Sequence, residues 1–456
     1  MNFWDLPRYG KIYFAGIGGI SMSALAMILK NKGFDVCGYD RAATPLTAQL
    51  EKNGVQIFYN TDASNLDGVS CAVYSAAFDP DHPEIKQIDD KGIPLYKRAQ
   101  LLGAIARLYS NSIGVAGTHG KSTTSGMLSH VFMSNPSYDP TVLVGAVLPD
   151  INSTYKLGND ENFIFEACEY QDAFLSFFPR TAIVLNVKLD HTDYFPNLDR
   201  LIRSFKGFIN NTGKDGCAII NLDSSGAVRA AEGYDGRLLT YSAFGNSNAD
   251  YHAQNIVMSK GFATVDVYKN SSYHMRITLS IPGLHNVSNA LAVVACCDLC
   301  GVPKETVISG IKAYRGVCRR FEYKGRFMGA DVFDDYAHHP DEIRATLSAA
   351  KSMGYGRVIS VFQPHTYSRL RDLFNDFASA FEDSDLPVFA DVYSARENNV
   401  YGITSSNLAD KVMGSVYLDS FIKIEEYLKN TLRSDDLLIF MGAGSITELA
   451  SAVTRE

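Results

Sequence analysis

Short apolar runs rich in Val, Ile and Phe recur along the chain, and between them lie stretches whose apolar residues return every three or four positions. Strand-length runs alternating with helical periods point to parallel sheets covered by helices, so the predicted fold class is α/β. KIYFAGI, DVCGYD and CAVYSAA read as strands, and SALAMILKNKG between the first two reads as a helix closed by its Gly. SIGVAG opens a second set and leads into the helical KSTTSGMLSHVF; ENFIFEAC, TAIVLNV and GCAIINL are further strands, HNVSNALAVVACC and KETVISGIKAY helices. A third set follows Cys318, with ADVFDDY, GRVISVFQ, LPVFADVY and DLLIFMGAG as strands and SRLRDLFNDFASAFE as a helix among them. There is no fixed-period repeat, which sets a solenoid aside. Three α/β domains are predicted, over residues 1–108, 109–318 and 319–456.

Composition narrows the class of partner. A length of 456 residues suits three domains of ordinary size. The net charge of -8 argues against a general grip on phosphate backbones, so no nucleic-acid partner is expected. No stretch approaches 18 uninterrupted apolar residues, and the start MNFWDLPRYG has no basic region followed by an apolar run; a cytoplasmic protein without membrane association is expected. Eight scattered cysteines fit a reducing compartment, and the cluster Cys296, Cys297 and Cys300 reads as small residues packing a helix.

Two glycine-rich turns carry candidate chemistry. GTHGKST, Gly117 to Thr123, follows a strand and opens a helix, where freed backbone N–H groups, a helix N-terminus and a Lys charge converge on a phosphate. Lys121 would meet the β and γ phosphates and the Ser122 hydroxyl a magnesium ion, although Val115 stands where the strict pattern has its first Gly. GIGGISMSALA, from Gly16, also follows a strand, with Ser21 at the third glycine position and Asp40 ending the next strand. Such a turn suits a diphosphate, whether of NAD, FAD or a nucleotide sugar.

Acidic and imidazole groups gather where strands end. Glu166 and Glu169 follow one strand, and Asp190, His191 and Asp193 another; oxygen donors with one imidazole beside a triphosphate suit magnesium. Lys206 reads as a plain surface Lys. GLHNVSNALA offers His285, Asn286 and Asn289 at a helix start, able to pair with a purine edge or simply to cap. RRFE, DDYAHHPDE and QPHTYSRLR put basic, acidic and imidazole groups at strand ends or in the linker, where open α/β sheets bind ligands.

The ordered set GIGGISMSALA, GTHGKST, EACEY, DHTDYF, GLHNVSNALA, RRFE, DDYAHHP, FQPHTYSR and MGAGSI resembles the Mur ligase family over almost the whole chain. The resemblance implies a Rossmann-like first domain, a P-loop ATPase-type second and a Rossmann-like third. It implies ATP-dependent ligation of L-alanine to the lactyl carboxylate of UDP-N-acetylmuramate through an acyl phosphate, with ATP and Mg2+ as cofactors, by a monomer or weak homodimer. Gly16, Gly18, Gly19, Ser21, Asp40 and Ser75 would hold the sugar nucleotide. Gly117, Thr118, His119, Gly120, Lys121, Ser122 and Thr123 would hold ATP phosphates; Asn286 and Asn289 would lie near adenine; Arg320 and Asp335 would contact the nucleotide. Ser122 and Glu166 would ligate one magnesium and His191 a second, while Tyr336, His338 and Arg369 would meet the reacting ends of the substrates. Two positions depart from the family pattern. Ser122 replaces the more usual Thr, and Thr366 stands where some relatives carry Arg, which leaves Arg369 with more of the amino-acid carboxylate. Lys206 has the spacing of a Lys carbamylated in sister ligases, a modification not expected here. The alternatives are a ligase recycling murein tripeptide onto the same sugar, a nicotinamide oxidoreductase that would leave GTHGKST without a role, and a nucleotide sensor without turnover.

Overall fold

The computed structural model describes residues 10–75, 78–79, 81–192 and 194–455. Residues 1–9 of the start read above and Asp193 thus lie outside the described residues. The chain divides into two compact units, Met1–Tyr241 and Ser242–Glu456.

The first unit opens with an all-parallel sheet: β1 (Lys11–Ala15), β2 (Asp35–Tyr39), β3 (Gln56–Phe58), β4 (Val69–Tyr74) and β5 (Leu95–Lys97), in the order β3-β2-β1-β4-β5. The predicted strand Cys71–Ala77 is seen from Val69 to Tyr74, with Ala76 and Ala77 outside the described residues. Strand order reverses at β1, so the turn after it sits at the switch point where open sheets take ligands. Ile12, Tyr13, Phe14 and Ala15 are fully buried, as expected of a strand covered on both faces. The helix Ile20–Asn31 buries Met22 through Leu29 against it.

A second sheet in this unit contains β6 (Asn111–Ala116), β7 (Thr141–Leu148), β8 (Ser153–Lys156), β9 (Asn162–Glu166), β10 (Thr181–Val184), β11 (Cys217–Asn221) and β12 (Arg237–Ser242). Their order is β12-β11-β10-β6-β9-β7-β8, parallel except for the β7–β8 pair. β6 lies between β9 and β10, so the loop after β6 again leaves a switch point, with the ends of β9 and β10 beside it.

The second unit begins with an antiparallel meander, β13 (Tyr251–Ser259), β14 (Phe262–Lys269) and β15 (Ser272–Thr278), absent from the strands read off the sequence. The helices His285–Leu299 and Lys304–Ala313 follow, the first burying Cys296 and Cys297. The third sheet comprises β16 (Glu322–Phe327), β17 (Ala330–Asp335), β18 (Arg357–Phe362), β19 (Leu386–Phe389), β20 (Val416–Tyr417) and β21 (Asp436–Met441). Its order is β16-β17-β21-β18-β19-β20, with only β16 antiparallel. The single helix expected over SRLRDLFNDFASAFE is two short ones, Tyr367–Asp372 and Phe374–Ala378. They break at Leu373 (φ -112°, ψ 23°), with Leu370 and Phe377, seven residues apart, both in the core.

Candidate active site

The turn after β1 is built on Gly16, whose φ of 78° lies in the left-handed region and whose N–H donates to the Tyr39 carbonyl at 2.8 Å. Gly18 N–H donates to the Asp40 carboxylate at 2.7 Å, and Gly19 caps the helix that follows. Asp40 thus anchors the loop itself. The Ser21 hydroxyl accepts from Arg98 at 2.9 Å, which brings a guanidinium to this turn that the sequence reading did not single out. Ser75 follows β4, and its carbonyl accepts from Phe78 N–H at 3.0 Å.

The turn after β6 enters its helix through Gly120, at φ 89°, and Lys121 is the first helical residue. Two residues of the segment that follows β10 grip it. Asn186 accepts from His119 N–H and donates to the His119 carbonyl, each at 2.9 Å, while Thr118 exchanges hydrogen bonds with the Lys188 backbone at 2.9 and 3.0 Å. Asn186 is a second residue that sequence reasoning missed. It lies 67 residues from its partner and opens the segment NVKLDHTDYF, in which only the acids and the imidazole stand out as candidate ligands.

Charge in this loop is paired. Lys121 Nζ meets the Glu169 carboxylate at 2.9 Å and donates to the Gly117 and Thr118 carbonyls at 2.6 and 3.2 Å. Burial works against the ammonium, yet Glu169, with Cys168 and Glu166 behind it, outweighs burial and holds the Lys121 pKa above its ordinary value. Glu166, at the end of β9, accepts from Ser122 Oγ at 3.2 Å and from Gly145 N–H at 2.6 Å. His191 takes a left-handed φ of 52°, with its Nε2 3.9 Å from Glu169 and its ring centroid 4.8 Å from that of Tyr170. Lys121, Ser122, Glu166 and His191 therefore ring one space at the ends of three neighbouring strands. Thr123 continues the helix. Lys206 lies elsewhere, donating to the Glu232 carbonyl at 2.6 Å.

In the second unit Asn286 and Asn289 are buried in their helix, Asn286 donating to the Pro282 carbonyl at 2.7 Å and Asn289 to Asn286 at 2.9 Å. Asp335 ends β17 and accepts from the N–H groups of Phe321 and Ala337 at 2.8 and 2.7 Å. Burial pushes its pKa up to about 6, partly offset by Arg320 and those two N–H groups. Arg320 lies 3.5 Å from Glu342, with its guanidinium carbon 5.3 Å from the Tyr336 ring centroid. Burial takes His338 down to about 4, against the pull of Glu342. The ring is therefore neutral at pH 7, and with Nδ1 2.9 Å from the Tyr336 carbonyl it carries its proton there, leaving Nε2 as the acceptor. His338 and His365 approach with centroids 6.0 Å apart, and Arg369 Nη1 lies 3.4 Å from His365 Nδ1. Tyr336, His338 and Arg369 thus share one neighbourhood at the ends of β17 and β18.

Family profiles match nearly end to end: Mur ligase family, catalytic domain, at residues 11–110; Mur ligase middle domain at 115–297; and Mur ligase, glutamate ligase domain, at 319–444. The UDP-N-acetylmuramate–L-alanine ligase of Lachnospira eligens is 44% identical over 450 residues, covering 97% of this chain and 98% of its own. That of Agathobacter rectalis is 40% identical over 458 residues, covering 99% of both. Among solved structures, the UDP-N-acetylmuramate–alanine ligase of Thermotoga maritima matches with a TM-score of 0.78 at 27% identity, covering 98% of each chain. With its three sheets, its two strand-end loops and this likeness along its whole length, the chain belongs to the Mur ligase family.

Proposed function

We propose that the protein joins L-alanine to the lactyl carboxylate of UDP-N-acetylmuramate at the expense of ATP, in the synthesis of peptidoglycan precursors. The observation that carries this reading is the 44% identity, over 97% of the chain, to a ligase of that name. The segments 1–108, 109–318 and 319–456 serve the sugar nucleotide, ATP and the incoming amino acid in turn. In the first, Gly16, Gly18, Gly19, Ser21 and Ser75 face the UDP moiety, with Asp40 holding the turn. In the second, Gly117 to Thr123 cradle the phosphates, and Lys121 exchanges Glu169 for the β and γ phosphates. Asn286 and Asn289 flank adenine, and Arg320 and Asp335 contact the nucleotide.

The lactyl carboxylate attacks the γ-phosphate, ADP departs, and the amine of L-alanine attacks the acyl phosphate and expels phosphate. Such transfers depend on positioning and charge neutralisation. Ser122 with Glu166, and His191, present hydroxyl, carboxylate and imidazole donors that fit Mg2+. When bound, Mg2+ supplies positive charge against the oxygens of the transferred group. Tyr336 and Arg369 orient the amino acid, and the Nε2 lone pair of His338 faces the amine as an acceptor. A cytoplasmic setting agrees with this chemistry; among the described residues no helix is long and apolar enough to cross a membrane.

Phosphate release with ATP, Mg2+ and UDP-N-acetylmuramate, measured with L-alanine and separately with murein tripeptide, tests the reading. Turnover with L-alanine is expected, and turnover with the tripeptide alone overturns it.

A further inference from the structure

Two segments leave neighbouring strands of the third sheet and run side by side, bridged in parallel at His365 and Tyr393: 363–369 after β18, which carries His365 and Arg369, and 390–397 after β19. Their backbones are knitted together, since Tyr393 N–H donates to the Pro364 carbonyl at 2.9 Å and Thr366 N–H to the Tyr393 carbonyl at 3.0 Å. The His365 and Tyr393 rings stack with centroids 5.7 Å apart and planes 21° from parallel. Thr366 is held at φ 68°, a conformation costly for a β-branched residue that persists only where its surroundings impose it. The surroundings include one charged group. Glu397 accepts from Ser368 N–H at 2.9 Å through one carboxylate oxygen and from the Ser368 hydroxyl through the other. Both bonds land one residue before Arg369, on a helix of only six residues with little rigidity of its own.

We propose that Glu397 is a positioning residue for the incoming amino acid: its two bonds to Ser368 fix the first turn of the helix Tyr367–Asp372 and thereby aim the Arg369 guanidinium at the amino-acid carboxylate. The inference rests on the reading of Arg369 given above and extends it to a residue outside the family motifs quoted for this chain. With Thr366 in place of a second arginine, the aim of the one remaining guanidinium sets amino-acid capture, and a charge-assisted pair of bonds is a strong way to fix it.

The test is steady-state kinetics of the full chain for all three substrates with Glu397→Ala, Glu397→Gln, Arg369→Ala and the double variant, alongside thermal melts. Glu397→Ala should raise KM for L-alanine about tenfold, with kcat and the other two KM values within about twofold, and Glu397→Gln should recover part of the loss. In an Arg369→Ala background the further change from Glu397→Ala should vanish, because a residue acting through another is not additive with it. An unchanged KM for L-alanine, equal rises in all three KM values with a lowered melting temperature, or full additivity overturns the proposal. Should Glu397→Ala simply fail to fold, Ser368→Ala, which removes only the hydroxyl arm, must raise the same KM alone. The outcome for Arg369→Ala keeps the two readings apart: if that variant leaves KM for L-alanine unchanged, it is the assignment of Arg369 that fails.

Discussion

The first unit contains two glycine-rich turns that leave two sheets at equivalent places, each after a strand at a switch point and at the start of a helix, and they are held in different ways. After β1 the anchor is a carboxylate: Asp40 takes N–H bonds from Gly18 at 2.7 Å and Arg41 at 2.9 Å. After β6 the anchor is a neutral amide, Asn186, and the charges in the loop are paired with each other, Lys121 against Glu169 at 2.9 Å. Under the proposed assignment the turn after β6 receives the phosphates of ATP. A carboxylate in the place of Asn186 would set a further negative charge beside a triphosphate, whereas an amide satisfies the same backbone groups without one. A cation held by a carboxylate can exchange that partner for phosphate without ever being left bare in a buried site, the costly state for a charge.

The sharpest way to break this comparison is Lys121→Ala. Removing one positive group from a preorganised phosphate site costs about 3 kcal/mol or more of transition-state stabilisation, so turnover should fall at least about a hundredfold. Binding of UDP-N-acetylmuramate, followed by calorimetry, should persist because its turn is anchored separately. A near-normal kcat would mean that the paired charge after β6 has no part in phosphoryl transfer.

The strand-end cluster of the second unit holds charge in a third way, by burial against backbone donors, and there pH is the probe. Folding raises the affinity of Asp335 for its proton, so its stabilising contribution is full below about pH 4 and is lost as pH rises through about 6. Folding weakens that of His338, whose contribution is missing near pH 4 and grows as pH rises toward 6.5. Each displacement is worth up to about 3 kcal/mol, and over pH 4 to 6 the two oppose one another. Asp335→Asn removes only the falling part. Urea midpoints of the variant should therefore climb relative to the parent across that window, by up to about 3 kcal/mol in stability, whatever constant offset the amide introduces. Parallel curves would show that the carboxylate is ionised throughout.

What was legible in the sequence divides along the same lines. The parallel strands announce themselves because burial on both faces leaves unbroken apolar runs such as KIYFA and DLLIFM. The meander β13–β15 does not, since a sheet wet on one face shows only alternation, as in FATVDVYK. The break at Leu373 is invisible in a pattern whose apolar residues keep helical spacing. In the candidate site, contiguous residues could be read as motifs, Gly117 to Thr123 above all. Their supports could not: Arg98 is 77 residues from Ser21, Asn186 67 from His119 and Glu397 29 from Ser368, and only the order of the strands makes them neighbours. Glu169 lay between these cases, visible as an acid after a strand but without a partner until the fold placed Lys121 against it.

The two anchors can be tested as a crossed pair with smaller expected effects. A Cβ on Gly18 would meet Asp40 Oδ2 and Thr47 Cγ2, both at 2.8 Å, so Gly18→Ala must push the carboxylate off its N–H and loosen the turn after β1. Asn186→Ala strips the turn after β6 of two hydrogen bonds to the His119 backbone, at a cost of roughly 1–3 kcal/mol in ordering that turn. Part of that cost should reach the ligand each turn receives. Gly18→Ala should raise KM for UDP-N-acetylmuramate severalfold and leave KM for ATP alone, and Asn186→Ala should do the reverse. Separate effects would mean that each turn is ordered by its own anchor, the carboxylate in one and the amide in the other. Crossed effects would locate the control in what the turns share: the helix Arg98–Ala106, whose first residue holds Ser21 of the first turn, packs against Tyr170–Ser176, next to the Glu169 that pairs with Lys121 of the second.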